Sequence, residues 1–106
     1  MPTERRRSPR RAANRSVRAE CRLGPHGLGA DVGAVLFDVS AEGLRLALAV
    51  AVAPGQEVDV TLAPPWGRDT RLVAEVVWCG PRDAATYWVG LKLRRPLARG
   101  ELAALV

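Results

Sequence analysis

The sequence predicts an all-β chain: a six-stranded antiparallel β-barrel with a flexible N-terminal arm and a short C-terminal helix. Three observations point there. Six short stretches alternate apolar and polar residues with a period of two, as strands with one buried face do. The 10 Gly and 8 Pro fall mostly between these stretches, where turns are needed. The 106 residues suffice for one domain with a single core, and closure into a barrel removes the bare edges that an open sheet of six short strands would expose. A small open sandwich would satisfy the same alternation.

Taken in order, residues 1–15 (MPTERRRSPRRAANR) carry dense charge and no hydrophobic period, so they form a flexible arginine-rich arm outside the core. Residues 16–106 form the barrel domain. Its first strand is expected over Ser16–Leu23, before the turn-rich GPHGLGADVG, and its second over Ala34–Ser40. The third, Leu44–Val50, puts Leu44, Leu46, Leu48 and Val50 on one face. After Pro54-Gly55 the fourth turns Val58, Val60 and Leu62 inward and stops at Pro64-Pro65. The fifth aligns Leu72, Ala74, Val76 and Trp78 before Gly80-Pro81; the sixth, Thr86–Leu93, aligns Tyr87, Val89, Leu91 and Leu93. Leu97, Leu102, Leu105 and Val106 then fit about two turns of amphipathic helix over a barrel end.

Charge is concentrated in the arm. Residues 1–18 hold seven Arg against the single acid Glu4, a net +6 in a chain of net +5, so the remainder is close to neutral. Lys92 is the only lysine. An arm whose cations are all Arg suits planar, bidentate recognition of phosphate and of base edges.

Several function classes find no support. Cys21 and Cys79 sit in apolar stretches and read as reduced thiols rather than a disulfide framework, which points to the cytoplasm. No run approaches the roughly 20 apolar residues of a membrane span. His26 is the only histidine, and with the two cysteines it falls short of a zinc set. Gly27, Gly29 and Gly33 have the wrong spacing for a phosphate loop and are followed by a strand, so they read as a hairpin turn. No nucleophile stands at motif spacing from a base, so the chain is read as a non-enzyme that needs no cofactor.

Two local sequences carry chemistry. Arg6-Arg7-Ser8-Pro9-Arg10 is an RxxxR, and Asp38-Val39-Ser40-Ala41-Glu42-Gly43 is a DxSxxG. On an extended segment Asp38 and Ser40 project to one side, and Gly43 permits a sharp turn or a close approach. Arg7 and Arg11 form a second RxxxR, shifted by one; the Ser8-Pro9-Arg10 context favours Arg6 with Arg10.

In this order the two motifs resemble the PilZ domain family, whose members typically bind cyclic di-GMP. ERRRSPR of residues 4–10 looks like the family's arm, DVSAEG of residues 38–43 like its barrel motif, and WVGLKL of residues 88–93 like its late glycine-containing strand. The resemblance implies that Arg6 and Arg10 are the principal ligands, with Arg7 and Arg11 as neighbours. Asp38 would accept from guanine N1–H and N2–H or orient an arginine, Ser40 would add a hydrogen bond, and Gly43 would let the ligand approach. Trp88 is a candidate wall of the site, and Trp66 the exposed tryptophan of the PPWGRD turn. The implied function is a cyclic di-GMP receptor whose arm orders on the ligand and signals to a protein partner. Two other readings stand beside it: a basic arm that touches nucleic acid nonspecifically, disfavoured because the barrel lacks a basic stripe, and a PilZ-like adaptor that binds proteins without the nucleotide.

Overall fold

The computed structural model describes residues 9–24 and 28–106. Arg6, Arg7 and His26 lie outside the described residues. The elements are β1 (Arg11–Ala12), β2 (Arg18–Leu23), β3 (Ala34–Val39), β4 (Gly43–Leu48), β5 (Glu57–Ala63), β6 (Thr70–Pro81), β7 (Tyr87–Leu93) and α1 (Arg99–Leu105). Antiparallel pairing runs β3–β2–β5–β6–β7–β4, and β4 pairs back with β3. Six strands therefore close into the expected barrel, and β1 is an extra strand that the alternation did not reveal.

The barrel interior is filled by the alternating positions. Val39, Leu44, Leu46, Leu48, Val58, Val60, Leu62, Ala74 and Val89 are fully buried, with Leu72, Val76 and Leu91 nearly so. Each large apolar side chain buried in this way contributes about 1.5–3 kcal/mol against leaving it in water. Cys21 shares this interior as a free thiol, and burial pushes its pKa up to about 12, which keeps it protonated and inert. Cys79 is also free but only half-buried.

Two expected inward positions point elsewhere. The ladder between β6 and β7 slips by one residue between Val76 and Trp78. Such a bulge reverses the facing of everything after it, so Trp78 leaves the core face and is 41% exposed. Val50 lies beyond the end of β4, because the partner strands start at Ala34 and Tyr87 opposite Leu48, and it too is exposed.

The long first connection folds back on itself. Arg22 and Asp31 form a bridge, and the Val32 N–H donates to the Cys21 carbonyl at 2.9 Å, so the chain leaving β2 returns along β2 before entering β3.

α1 covers one end of the barrel with Leu105 buried, and Leu97 is buried just before it. Its termini are tied on both sides. The Glu101 carboxylate accepts from the Ala98 N–H (2.8 Å) and from both terminal nitrogens of Arg95 (2.8 and 2.9 Å). At the other end, where helix carbonyls lack intrahelical partners, Trp66 Nε1 donates to the Ala104 carbonyl (2.9 Å) and the Asn14 N–H to the Leu105 carbonyl (2.8 Å). Trp66 is thus 53% exposed, as expected, yet anchored.

The Arg95 and Ala98 contacts hold the Glu101 carboxyl at about 2, below its ordinary 4.5. A depressed carboxylate pKa contributes stability that is complete above the ordinary value and is lost as pH falls toward the folded one. Acid titration between pH 5 and 2 is therefore expected to loosen α1, read as a shift in Trp66 emission. Glu101→Gln is expected to produce the same shift at pH 7; an emission spectrum unchanged in both experiments would contradict this account of the helix anchor.

Candidate functional site

The root of the arm is fixed against β3. Arg11 and Ala12 stand opposite Val39 and Asp38, and the Ala13 N–H donates to the Phe37 carbonyl at 2.9 Å. Alternation along this extended segment puts Arg10 on the side of Ala12 and Asp38 and turns Arg11 the other way. Arg10 Nη1 donates to Asp38 Oδ1 at 2.8 Å, while Arg11 is exposed. Of the two described RxxxR arginines, Arg10 is the one that reaches the barrel motif.

Asp38 is approached from the other side by Arg45, its register partner on β4. Arg45 Nε lies 2.8 Å from Asp38 Oδ2, but its N–H is not aimed at that oxygen. Attraction between charges holds this pair rather than a directed hydrogen bond, and the buried Nε–H has no acceptor among the described residues. The same guanidinium lies over the Trp88 ring, 4.6 Å from its centroid, a cation–π contact.

The aromatic part of the site depends on a second bulge. The β3–β4 ladder slips between Leu36 and Asp38, so Phe37 and Asp38 both lie half-buried between the core residues Leu36 and Val39. Phe37 meets Trp88 edge to face, with centroids 4.7 Å apart and planes at 74°. Arg82, just after β6, lies 5.0 Å from the Phe37 centroid and 5.1 Å from that of Trp88. One open wall of the barrel thus gathers a carboxylate between two arginines and an aromatic pair flanked by two guanidinium groups.

Ser40 and Gly43 sit differently from Asp38. Ser40 is buried, its N–H donates to the Gly43 carbonyl at 2.9 Å, and its Oγ accepts from the Gly43 N–H at 3.1 Å. Neighbouring carbonyls of the turn are also occupied, Glu42 by the Leu93 N–H and Ala41 by the Leu97 N–H. Gly43 is required by packing, since a Cβ there would sit 2.8 Å from the Leu91 carbonyl oxygen. These two residues build the turn that holds Asp38 in place; the structure does not bring them to the surface beside it. Trp88 lies on the same wall as Asp38, against Arg45 and Phe37. Arg6 and Arg7 fall outside the described residues.

Three residues of the site escaped the sequence reading: Arg45, Phe37 and Arg82. Arg45 was accessible in principle, since a hairpin folded at the SAEG turn places it opposite Asp38. Phe37 depends on the bulge, which has no local signature, and Arg82 on the way the β6–β7 hairpin lies against the β3 wall, which its turn residues do not specify.

These features define a class: a small closed β-barrel whose polar chemistry lies on its outer wall at the root of an N-terminal arm. The PilZ domain family model matches residues 4–106, and the chain belongs to that family. Among solved structures, that of the Bacillus subtilis inhibitor of motility (MotI/DgrA) is similar with a TM-score of 0.64 at 16% sequence identity, over 97% of this chain and 48% of that one. The likeness is one of fold, and this chain spans about half the length of that protein. No curated protein sequence matches the chain.

The structural role of Gly43 has a direct check. Gly43→Ala forces a Cβ against a backbone oxygen that cannot move aside, at an expected cost of about 1–3 kcal/mol, read as a lower urea midpoint. Gly80→Ala, whose Cβ would meet nothing within 4 Å, is expected to be neutral or mildly stabilising. Equal effects of the two changes would refute the packing argument.

Proposed function

We propose that the chain is a receptor module for cyclic di-GMP, which it holds between the arginine arm and the outer wall formed by β3, β4 and β7. The observation that carries this reading is the Asp38 carboxylate bracketed by Arg10 and Arg45 beside the face of Trp88, in a chain of the PilZ family.

The chemistry follows from the complementarity of the groups. Cyclic di-GMP presents two phosphodiesters and two guanines. A guanine offers N1–H and N2–H donors to a carboxylate, which Asp38 supplies, and an O6/N7 edge to a guanidinium, which Arg10 supplies. In the free chain the two arginines already neutralise Asp38 and hold it in position, so the carboxylate is preorganised for the base. Arg45 brings the exposed part of its guanidinium, whose N–H groups suit a phosphate or carbonyl oxygen of the ligand. Arg6, with Arg7 and Arg11 as neighbours, contributes phosphate contacts as the arm closes over the ligand. Ser40 and Gly43 act by fixing the turn.

Signalling then rests on the arm. Its root is tied to β3 and to the end of α1, so residues that order around the ligand present a new surface next to the helix. A partner protein in the cytoplasm that reads this surface completes the pathway.

Calorimetric titration of cyclic di-GMP into wild type, Arg10→Ala and Asp38→Ala tests the proposal. Each variant loses charge-assisted hydrogen bonds of about 1.5–3 kcal/mol, so affinity is expected to fall roughly 10- to 100-fold. No heat with the wild type, or unchanged affinity in both variants, would sink it.

A further inference from the structure

We propose that Arg82, carried by the β6–β7 hairpin and outside both sequence motifs, is a further ligand-binding guanidinium that stacks on a purine of the bound dinucleotide above the Phe37–Trp88 pair. The proposal rests on the cyclic di-GMP reading given above and adds to it a residue and a mode of contact.

Four observations support it. First, Arg82 straddles the junction of the two rings, at 5.0 and 5.1 Å from their centroids, whereas Arg45 lies closer over Trp88 alone at 4.6 Å. A planar base between ring and guanidinium needs a separation of about 7 Å, two contact distances, so Arg82 has to rise by only about 2 Å. Second, the two side-chain hydrogen bonds that such a rise would give up are both exposed to water, where their loss costs little. Nη1 bonds Asp83 Oδ2 at 3.1 Å and Thr86 Oγ1 at 3.2 Å, both within its own exposed turn.

Third, that turn is rigid at its base. Asp83 Oδ1 accepts from the Ala85 N–H (2.9 Å), the Thr86 N–H (2.7 Å) and the Thr86 hydroxyl (2.8 Å), and the Arg82 N–H donates to the Thr86 carbonyl at 3.0 Å. The backbone of Arg82 is thereby fixed, so the guanidinium is presented from a defined position beside the two rings. Fourth, the position facing Trp88 across β6 is Gly80, and a Cβ there would meet nothing within 4 Å. The ring therefore has an open slot beside it. An arginine that packs loosely on two aromatic faces, next to an empty slot and on the same wall as Asp38 and Arg45, is placed for a π-face contact with a base, which charge alone would not require.

Four variants titrated calorimetrically with cyclic di-GMP beside wild type and Arg10→Ala separate stacking from charge. Arg82→Ala is expected to weaken binding about tenfold. Arg82→Lys keeps the charge but lacks the plane, and is expected to stay several-fold weaker than wild type. Gly80→Val fills the slot without altering charge and is expected to weaken binding similarly, with an unchanged melting temperature for the free protein. Arg99→Ala, an exposed arginine on α1, is the control for net charge and is expected to bind as wild type does. Full affinity in Arg82→Lys would show that charge alone acts and would overturn the proposal. Full affinity in Arg82→Ala alongside the loss in Arg10→Ala would also overturn it and leave the receptor reading intact, whereas a wild type that gives no heat would overturn both.

Discussion

The edge of β3 that faces β2 pairs with it within the strands only at Ala34, opposite Ala19, and gives its far end, Asp38 and Val39, to β1. Two stretches of chain thus share one strand edge, separated by the Asn14–Val17 turn in which the Val17 N–H donates to the Asn14 carbonyl. The rest of the site depends on this sharing. Were β2 to pair along the whole of β3, the arm would have no ladder to join, and Arg10 would have no fixed position. Because β2 turns away, the unpaired end of β3 takes up Arg11 and Ala12, and Arg10 is delivered to Asp38. The hydrogen bond from Asn14 to Leu105 extends the same constraint to α1. Arm, barrel seam and helix meet within a few residues.

The electrostatics built on this frame serve position more than stability. Arg10 and Arg45 keep about a third of their side-chain surface exposed, against 16% for Asp38, and ion pairs so open to water contribute about 0–1 kcal/mol each. Their effect is to hold a single carboxylate between two cations while leaving donor capacity on both. Arg45 divides itself between Asp38 and the face of Trp88, and so couples the charged part of the site to the aromatic part. Moving either neighbour changes the position of the guanidinium seen by the other.

Much of the barrel was legible because burial in a strand imposes a period of two, and the sequence keeps that period wherever the ladder is regular. Leu44, Leu46 and Leu48, and Val58, Val60 and Leu62, are inward as their alternation requires. Legibility fails at the two bulges, for a physical reason. A bulge changes facing through backbone hydrogen bonding and leaves no mark on composition, so Trp78 reads as a core residue and Phe37 as an ordinary strand position. β1 was hidden for a different reason: a two-residue strand is too short to show any period, and its pairing is dictated by β3. Of the site, Arg10, Asp38 and Trp88 were visible as residue types at motif spacing or in a matching strand. The turn contacts of Ser40 and Gly43 were not, because buried turn geometry and surface ligand geometry call for the same small residues.

The location of the site follows from the size of the barrel. Six short strands lined with Leu and Val leave no interior volume for a ligand, so any recognition must take place on the outside. Outward positions of a strand are ordinarily polar, yet beside Asp38 and Arg45 this wall carries Ala47, Gly80 and Gly90 with Trp88 and Trp78. A Cβ on Gly90 would fall within the Trp78 indole, so that ring lies flat across the glycine, and Gly80 leaves open the space beside Trp88. Small residues alternating with tryptophans on a solvent face gain nothing for solubility and little for strand propensity. They lower the floor and raise the walls of a shallow aromatic surface, which the arginines of the arm, of β4 and of the β6–β7 hairpin border on three sides.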